Sequence, residues 1–173
     1  MEGITYKFLD NGNLVLERLS NRNLIFRNFS GAKDRFNSKG ERKFTVVIPW
    51  EFAQDIKDRG WDVKVKPPRE DGEDPFCTLS VKVRFDLSWA KPWIMQVTRR
   101  GGIAVDENNI SNFDRLTFED VALTLRPNYY EKASGERAIS AQLAEMIGTI
   151  REGYLESMWN EEGPGEDEAP FGI

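Results

Sequence analysis

The chain has 173 residues, of which 39% are hydrophobic and 12% are aromatic, a composition that suits one globular domain with a substantial core. It has no histidine and one cysteine, Cys77, which excludes Ser/His/Asp and Cys/His nucleophile arrangements, imidazole metal ligands and an internal disulfide. No stretch approaches 18 consecutive apolar residues and the N-terminus lacks a signal-peptide pattern, so we expect no membrane span and a cytoplasmic location.

The excess negative charge lies at the C-terminus. The chain has 29 acidic and 24 basic residues, and residues 161–173 hold five of the acidic residues and none of the basic ones, which leaves residues 1–160 formally neutral. The Gly, Pro and acidic residues of "EEGPGEDEAPFGI" cannot bury enough apolar surface to offset the entropy of ordering them. We therefore predict a folded domain over residues 1–160 and a disordered tail over residues 161–173.

The folded part shows the pattern of short strands. A hairpin is predicted where "ITYKF" and "LVLERL" flank the turn residues Asp10 to Asn13. Further strands are predicted at "NLIFRNF", "RKFTVVIPW", "WDVKVK", "FCTLSVKVRF", "WIMQVTR" and "VALTL", and a short helix at "WEFAQDIKDRG". The segment "RAISAQLAEMIGTI" is ambiguous, because Ile139, Leu143 and Ile147 suit a helix whereas Ile139, Ala141 and Leu143 alternate like a strand.

Many short strands with one or two short helices predict a mainly β domain, either a small barrel or a sandwich. The five-stranded, partly open OB-fold barrel, here with an extra hairpin and extra strands, is a common host for this pattern when the ligand is a nucleic acid.

A basic segment with interspersed aromatic residues runs from Arg18 to Lys43, where eight basic residues stand against two acidic ones. Its loop "AKDRFNSKG" could place cations along a phosphate backbone while Phe36 stacks on a base. The alternative is that the cations form a solvated face. We assign Phe26, Phe29 and Phe44 to the core in either case.

Two further clusters combine rings with cations. "SWAKPWIMQVTRRGG" and "LRPNYYEKASGER" each place two large rings close to basic residues, although a tryptophan beside a turn can also close the end of a barrel. Adjacent tyrosines on an extended segment point to opposite sides, so at most one is expected in the core. Trp61 is the weakest candidate, because a tryptophan that opens a strand after a helix is usually buried. The predicted nucleic-acid-binding residues are Lys33, Arg35, Phe36, Lys39, Arg42, Lys43, Trp61, Trp89, Lys91, Trp93, Arg99, Arg100, Arg126, Tyr129 and Tyr130.

The order of these features resembles phage-encoded single-stranded-DNA-binding proteins of the OB-fold type. "RPNYYEKASGERAISAQLAEMIGTI" is similar to the region where those proteins close the barrel, and this resemblance favours a strand over "RAISAQLAEM". The terminal "EDEAPFGI" resembles the acidic, apolar tip with which such binders dock replication and repair enzymes, although here two residues follow the phenylalanine. The resemblance implies partner binding through Asp167, Glu168, Pro170 and Phe171.

We therefore predict a non-catalytic, largely sequence-independent single-stranded-DNA-binding protein of replication or recombination, without metal or cofactor. It would lie in the host cytoplasm if phage-encoded, and it could form homo-oligomers. One alternative is a Mg²⁺-dependent carboxylate nuclease, because Asp62 and Glu41 each stand two residues before a lysine. The other alternative is a virion or scaffold protein whose aromatic clusters pack against a partner.

Overall fold

Antiparallel and parallel strands form most of the domain in the computed structural model, which describes residues 3–33 and 40–152. The helix α1 spans Trp50–Asp58, and 3-10 turns span Asn21–Asn23 and Ile110–Asp114. The strands in the described residues are β1 (Thr5–Phe8), β2 (Leu14–Leu19), β3 (Leu24–Asn28), β4 (Arg42–Ile48), β5 (Lys64–Lys66), β6 (Phe76–Val83), β7 (Trp93–Thr98), β8 (Gly101–Val105), β9 (Phe118–Glu131) and β10 (Arg137–Ile150). The predicted mainly β class is confirmed, as is the strand prediction for "RAISAQLAEM".

The strands join in one open sheet in the order β1-β2-β9-β10-β6-β4-β3. β5 pairs with β6, and β8 joins the sheet through β7. β9 and β10 are antiparallel and form the longest pairing. β6 and β7 both run parallel to β10 and follow one another along it, β6 at residues 141–142 and β7 at residues 145–149. β10 is therefore the strand on which the rest of the sheet is built. Within residues 3–33 and 40–152, no helix has the length and apolar character needed to cross a bilayer.

A register shift in β10 keeps one face of this strand in the core along its whole length. The shift lies between Leu143 and Glu145, so Ala144 is an extra residue relative to β9. Leu143 before the bulge and Met146 after it are both fully buried. We call the opposite side of the sheet the outer face. Its residues are Asn128, Tyr130 and Arg126 on β9, and Ala138, Ser140, Gln142, Glu145 and Ile147 on β10.

Aromatic packing in the core tests three of the sequence assignments. Phe29 and Phe44 are fully buried and stack at 5.0 Å between ring centroids, which confirms their assignment to the core. The assignment of Phe26 to the core was wrong, because its side chain is 79% exposed. Phe26 has a left-handed φ of 51° at a register shift between Ile25 and Asn28, which turns its side chain away from the sheet.

Trp61 lies in the core and connects the segment after α1 to β10. It is 3% exposed, and it forms an isolated bridge with Ile139. The backbone N–H of Asp62 donates to the Ile139 carbonyl at 2.8 Å, and the Ile139 N–H donates to the Gly60 carbonyl at 2.9 Å. The prediction that Trp61 stacks on a base is therefore wrong. Its structural role is to place Asp62 beside the outer face of β10.

Candidate nucleic-acid interface

A groove lies on the outer face where β5, β6, β9 and β10 meet. Its polar character follows from alternation along β6, where Leu79 and Val81 are buried and Ser80 and Lys82 point outward. The groove is lined by Asp62, Lys64, Ser80, Lys82, Asn128, Tyr130, Ser140 and Ala141. Hydroxyl, amide and ammonium groups converge here on an open surface, a set of groups suited to phosphate oxygens and base edges.

Tyr130 is held at the edge of the groove by a hydrogen bond. Its hydroxyl donates to Asp62 Oδ2 at 2.8 Å, and Lys132 Nζ lies 3.7 Å from Asp62 Oδ1. The hydrogen bond to this carboxylate, with burial and the nearby negative charge as smaller causes, raises the pKa of the Tyr130 hydroxyl above its ordinary value. Lys132 offsets the negative charge of Asp62. The groove therefore has a net positive charge, which comes from Lys64 and Lys82.

A row of polar side chains crosses four neighbouring strands beside the groove. Arg126 on β9 is the cross-strand partner of Gln142 on β10, which is aligned with Lys82 on β6, and Lys82 in turn is opposite Lys43 on β4. Directly paired residues share a face of the sheet, so this row spans about 14 Å at the usual strand spacing. Three of its four members are cations.

One tryptophan lies farther along the outer face, and a second lies in the loop before it. Trp93 opens β7 opposite Glu145 and is 49% exposed. Trp89 is 78% exposed in the loop before β7, close in sequence to the exposed Lys91. The partners of Tyr130 and Trp93 on β10 are Ala138 and Glu145, and because Ala144 between them is a bulge residue, the two positions lie six strand steps apart, about 20 Å. The outer face of β10 is therefore long enough to contact several nucleotides.

The chain can be assigned to a known protein family. The chain matches the phage ssDNA-binding domain family over residues 5–169. The chain belongs to this family. No curated protein matches it.

Among solved structures, this member of the phage ssDNA-binding domain family is similar to the single-stranded DNA-binding protein from bacteriophage Enc34. The match to that protein in complex with ssDNA has 13% identity and a TM-score of 0.50, and it covers 88% of this chain and 98% of that one. A second structure of the Enc34 protein matches with 12% identity and the same TM-score, and the match covers 88% of this chain and 92% of that one. At this identity the likeness supports the shared fold.

Several residues predicted from the sequence lie apart from the groove in this family member. Arg42 is 19% exposed, because its Nε donates to the Phe29 carbonyl at 2.9 Å and its guanidinium lies 5.6 Å from the centre of the Phe85 ring. Arg42 therefore supports the fold. Arg99 and Arg100 form the turn between β7 and β8, and the Arg99 N–H donates to Glu152 Oε2 at 3.1 Å.

Tyr129 and Tyr130 point to opposite sides of β9 as predicted, and neither is buried, since Tyr129 is 71% and Tyr130 is 37% exposed. Lys33 is exposed in the segment after β3. The remaining predicted positions lie outside the described residues, and these are Arg35, Phe36, Lys39, Asp167, Glu168, Pro170 and Phe171.

The sequence analysis missed Lys64, Lys82 and Gln142. The alternation in "FCTLSVKVRF" already indicated that Lys82 points away from the core, and "WDVKVK" indicated the same for Lys64. Gln142 is the one amide in the mostly apolar run "AISAQLA". A polar group buried at such a position normally has a hydrogen-bond partner.

The groove of this family member offers little to a metal ion. Within the part of the chain that the structure describes, no group of three or more Asp, Glu, His or Cys residues could hold one. The Asp62 carboxylate already accepts the hydrogen bond from Tyr130 and lies close to Lys132.

Proposed function

We propose that this protein binds single-stranded DNA along the outer face, largely without sequence preference. The observation that carries the proposal is the cationic row across β9, β10, β6 and β4 beside a groove edged by Tyr130, in a chain that belongs to the phage ssDNA-binding domain family. Lys43, Lys64 and Lys82 contact phosphates, and neither phosphates nor base faces differ enough between nucleotides to impose a sequence.

The rings supply the second part of the mechanism. Tyr130 and Trp93 are partly exposed on the outer face, and Trp89 is exposed in the adjoining loop. Stacking of a base on such a ring contributes about 1–3 kcal/mol by alanine substitution. Glu145 beside Trp93 repels phosphates at that point, so a base rather than the backbone faces the sheet there.

The test is a titration of tryptophan fluorescence with a poly-dT oligonucleotide and with a duplex of equal length, repeated over a range of salt concentrations. We expect tighter binding of the single strand, with log affinity falling linearly with log salt by about 0.7 per neutralised phosphate. Equal affinity for the duplex, or an affinity that does not change with salt, would contradict the proposal.

Residues 32–40 extend the interface in this proposal, with Lys33, Arg35 and Lys39 on phosphates and Phe36 on a base. Reversing the three cations to Glu should lower the salt slope, since each neutralised phosphate contributes separately. An unchanged slope would remove this segment from the interface.

The acidic residues 161–173 serve recruitment in this proposal, with residues 1–160 as the DNA-binding domain. A partner with an apolar pocket rimmed by basic residues can hold Phe171 and Pro170 together with the carboxylates of Asp167 and Glu168. Phe171→Ala should leave DNA affinity unchanged and abolish capture of a replication or recombination enzyme in a pull-down. Retained capture would assign recruitment elsewhere.

We also propose that the protein has no catalytic activity and acts in the cytoplasm of the host cell. The absence of histidine and the engagement of Asp62 by Tyr130 and Lys132 support a binding role. The assay is incubation with circular single-stranded DNA and Mg²⁺. Cleavage that is lost in Asp62→Asn would establish the nuclease alternative instead.

A further inference from the structure

Two donor groups in the row beside the groove are buried without a hydrogen-bond partner in the described part of the chain. They are Arg126 Nη1 and Gln142 Nε2, and both atoms are shielded from solvent. The whole Gln142 residue is only 8% exposed. Because Arg126 and Gln142 are cross-strand partners, the two unpaired donors belong to adjacent side chains on one face of the sheet.

Two adjacent buried donors without hydrogen-bond partners are unusual in a folded domain. Buried polar groups are almost always hydrogen-bonded, because an unpaired donor has lost its water without gaining a protein acceptor. Leucine at position 142 would fill similar space without this penalty. The domain therefore retains two unpaired donors side by side in a position where an apolar residue would be more stable.

The surroundings of the pair indicate what it can bind. Lys82 is aligned with Gln142 and lines the groove, and Asn128 and Ser140 stand two residues away on the same face and line it as well. A rotamer change toward the groove would break no hydrogen bond at Nη1 or Nε2, since these atoms have none in residues 3–33 and 40–152. The two unpaired atoms are donors and the ammonium of Lys82 only donates, so a ligand group that offers acceptor oxygens suits these three side chains.

We propose that Arg126, Gln142 and Lys82 form a phosphate subsite for the single-stranded backbone, and this rests on the proposed function. On binding, Arg126 and Gln142 turn toward the groove and donate to the oxygens of one phosphate, while Lys82 supplies a second positive charge. A phosphate oxygen and a base carbonyl both accept hydrogen bonds. The two cations beside the amide select the phosphate, since it carries a full negative charge.

The decisive variant is Gln142→Leu, which removes the amide and keeps the size of the side chain. We expect its affinity for a dT oligonucleotide to fall about tenfold at constant salt slope, because a neutral donor to a charged group is lost. Its resistance to urea should equal or exceed that of the wild type, because an unpaired buried donor is removed. Gln96→Leu on β7 is the matched control and should leave affinity unchanged.

A second variant, Gln142→Glu, places a carboxylate between Arg126 and Lys82. It should pair with these cations in the free protein and repel a phosphate, so its affinity should fall further than that of Gln142→Leu. An abasic oligonucleotide of the same length, measured at low salt, separates the two acceptor sources. If the variants lose affinity by equal factors on the abasic and dT strands, the phosphate is the acceptor. If they lose affinity on the dT strand alone, the assignment is overturned in favour of a base carbonyl.

The outcomes separate this subsite from the proposed function. If the wild type binds dT and Gln142→Leu binds it equally well, the subsite is refuted and DNA binding stands. If Gln142→Leu is markedly less stable in urea, Gln142 has a structural hydrogen bond and the subsite is also refuted. If the wild type binds no single strand, both proposals are refuted together.

Discussion

Alanine substitution of Trp61 and of Trp93 should separate folding from DNA binding. Trp61 is 3% exposed, and its ring centroid lies 6.3 Å from that of Phe8. A buried aromatic side chain removes about 150–250 Å² from water, which at about 25 cal/mol per Å² corresponds to about 4–6 kcal/mol. Trp61→Ala should therefore remove much of a total stability that is typically about 5–15 kcal/mol.

Trp93 has the opposite expectation. It is 49% exposed, so the same area calculation gives at most about half the loss of stability, about 2–3 kcal/mol. If a base stacks on the ring, Trp93→Ala should weaken binding by about 1–3 kcal/mol, which is about 5- to 150-fold. The loss should be similar for dT, dA and dC homopolymers, because every base offers a ring face.

The two quantities require separate assays. Urea unfolding followed by far-UV circular dichroism gives stability, and anisotropy of a dye-labelled oligonucleotide gives affinity under conditions where both variants remain folded. The reasoning is refuted if Trp93→Ala costs more stability than Trp61→Ala, or if Trp93→Ala binds homopolymers like the wild type.

Three further substitutions test individual features. Tyr130→Phe should remove a phenol that ionises above its ordinary pKa, which absorbance at alkaline pH detects. In the wild type, the hydrogen bond from Tyr130 to Asp62 stabilises the fold fully below the unfolded pKa of about 10. This stabilisation is lost as the pH rises through the raised pKa of the folded state. Gly148→Ala should cost about 1–3 kcal/mol in urea, because its Cβ would lie 2.6 Å from Cε1 of the buried Phe118 ring. Phe26→Ala should change stability by no more than about 0.5 kcal/mol, because the ring is 79% exposed.

Each of these has a control that could contradict it. Gly102→Ala also creates a close contact, 2.7 Å to Met95 Sδ, but a thioether can move aside, so it should cost less than Gly148→Ala. Phe44→Ala, at a fully buried ring, should cost about 3–5 kcal/mol and exceed Phe26→Ala. If the phenol lost in Tyr130→Phe titrates at the ordinary pKa of tyrosine and not above it, the assigned hydrogen bond is refuted.

The strands were predictable wherever local alternation decides burial. The hairpin of β1 and β2 and the strand β6 follow their sequence patterns closely. β10 was ambiguous for a physical reason. The extra residue Ala144 shifts the inward positions from odd to even numbers, so Leu143 and Met146 are three apart, as on a helix. The sequence pattern cannot separate a bulged strand from a helix here, because the bulge depends on pairing with β9.

The site was predictable in kind more than in detail. Rings and cations indicated nucleic acid, but burial of each ring depends on long-range pairing that no local window contains. Trp61 is buried because its segment bridges to Ile139, and Phe26 is exposed because β3 bulges at that residue. The row of Arg126, Gln142 and Lys82 needs the registers of three strands, which only the folded sheet specifies.

The loop between β6 and β7 begins and ends at almost the same point on the sheet. Lys82 is level with Gln142 and Trp93 with Glu145, so residues 84–92 bridge only about 10 Å along β10, although nine extended residues could reach about 30 Å. Residues added there would leave both strand registers unchanged, since doubling a flexible loop costs only about 0.6 kcal/mol. A reporter peptide inserted next to Trp89 would therefore sit beside the proposed DNA path while the sheet remained intact.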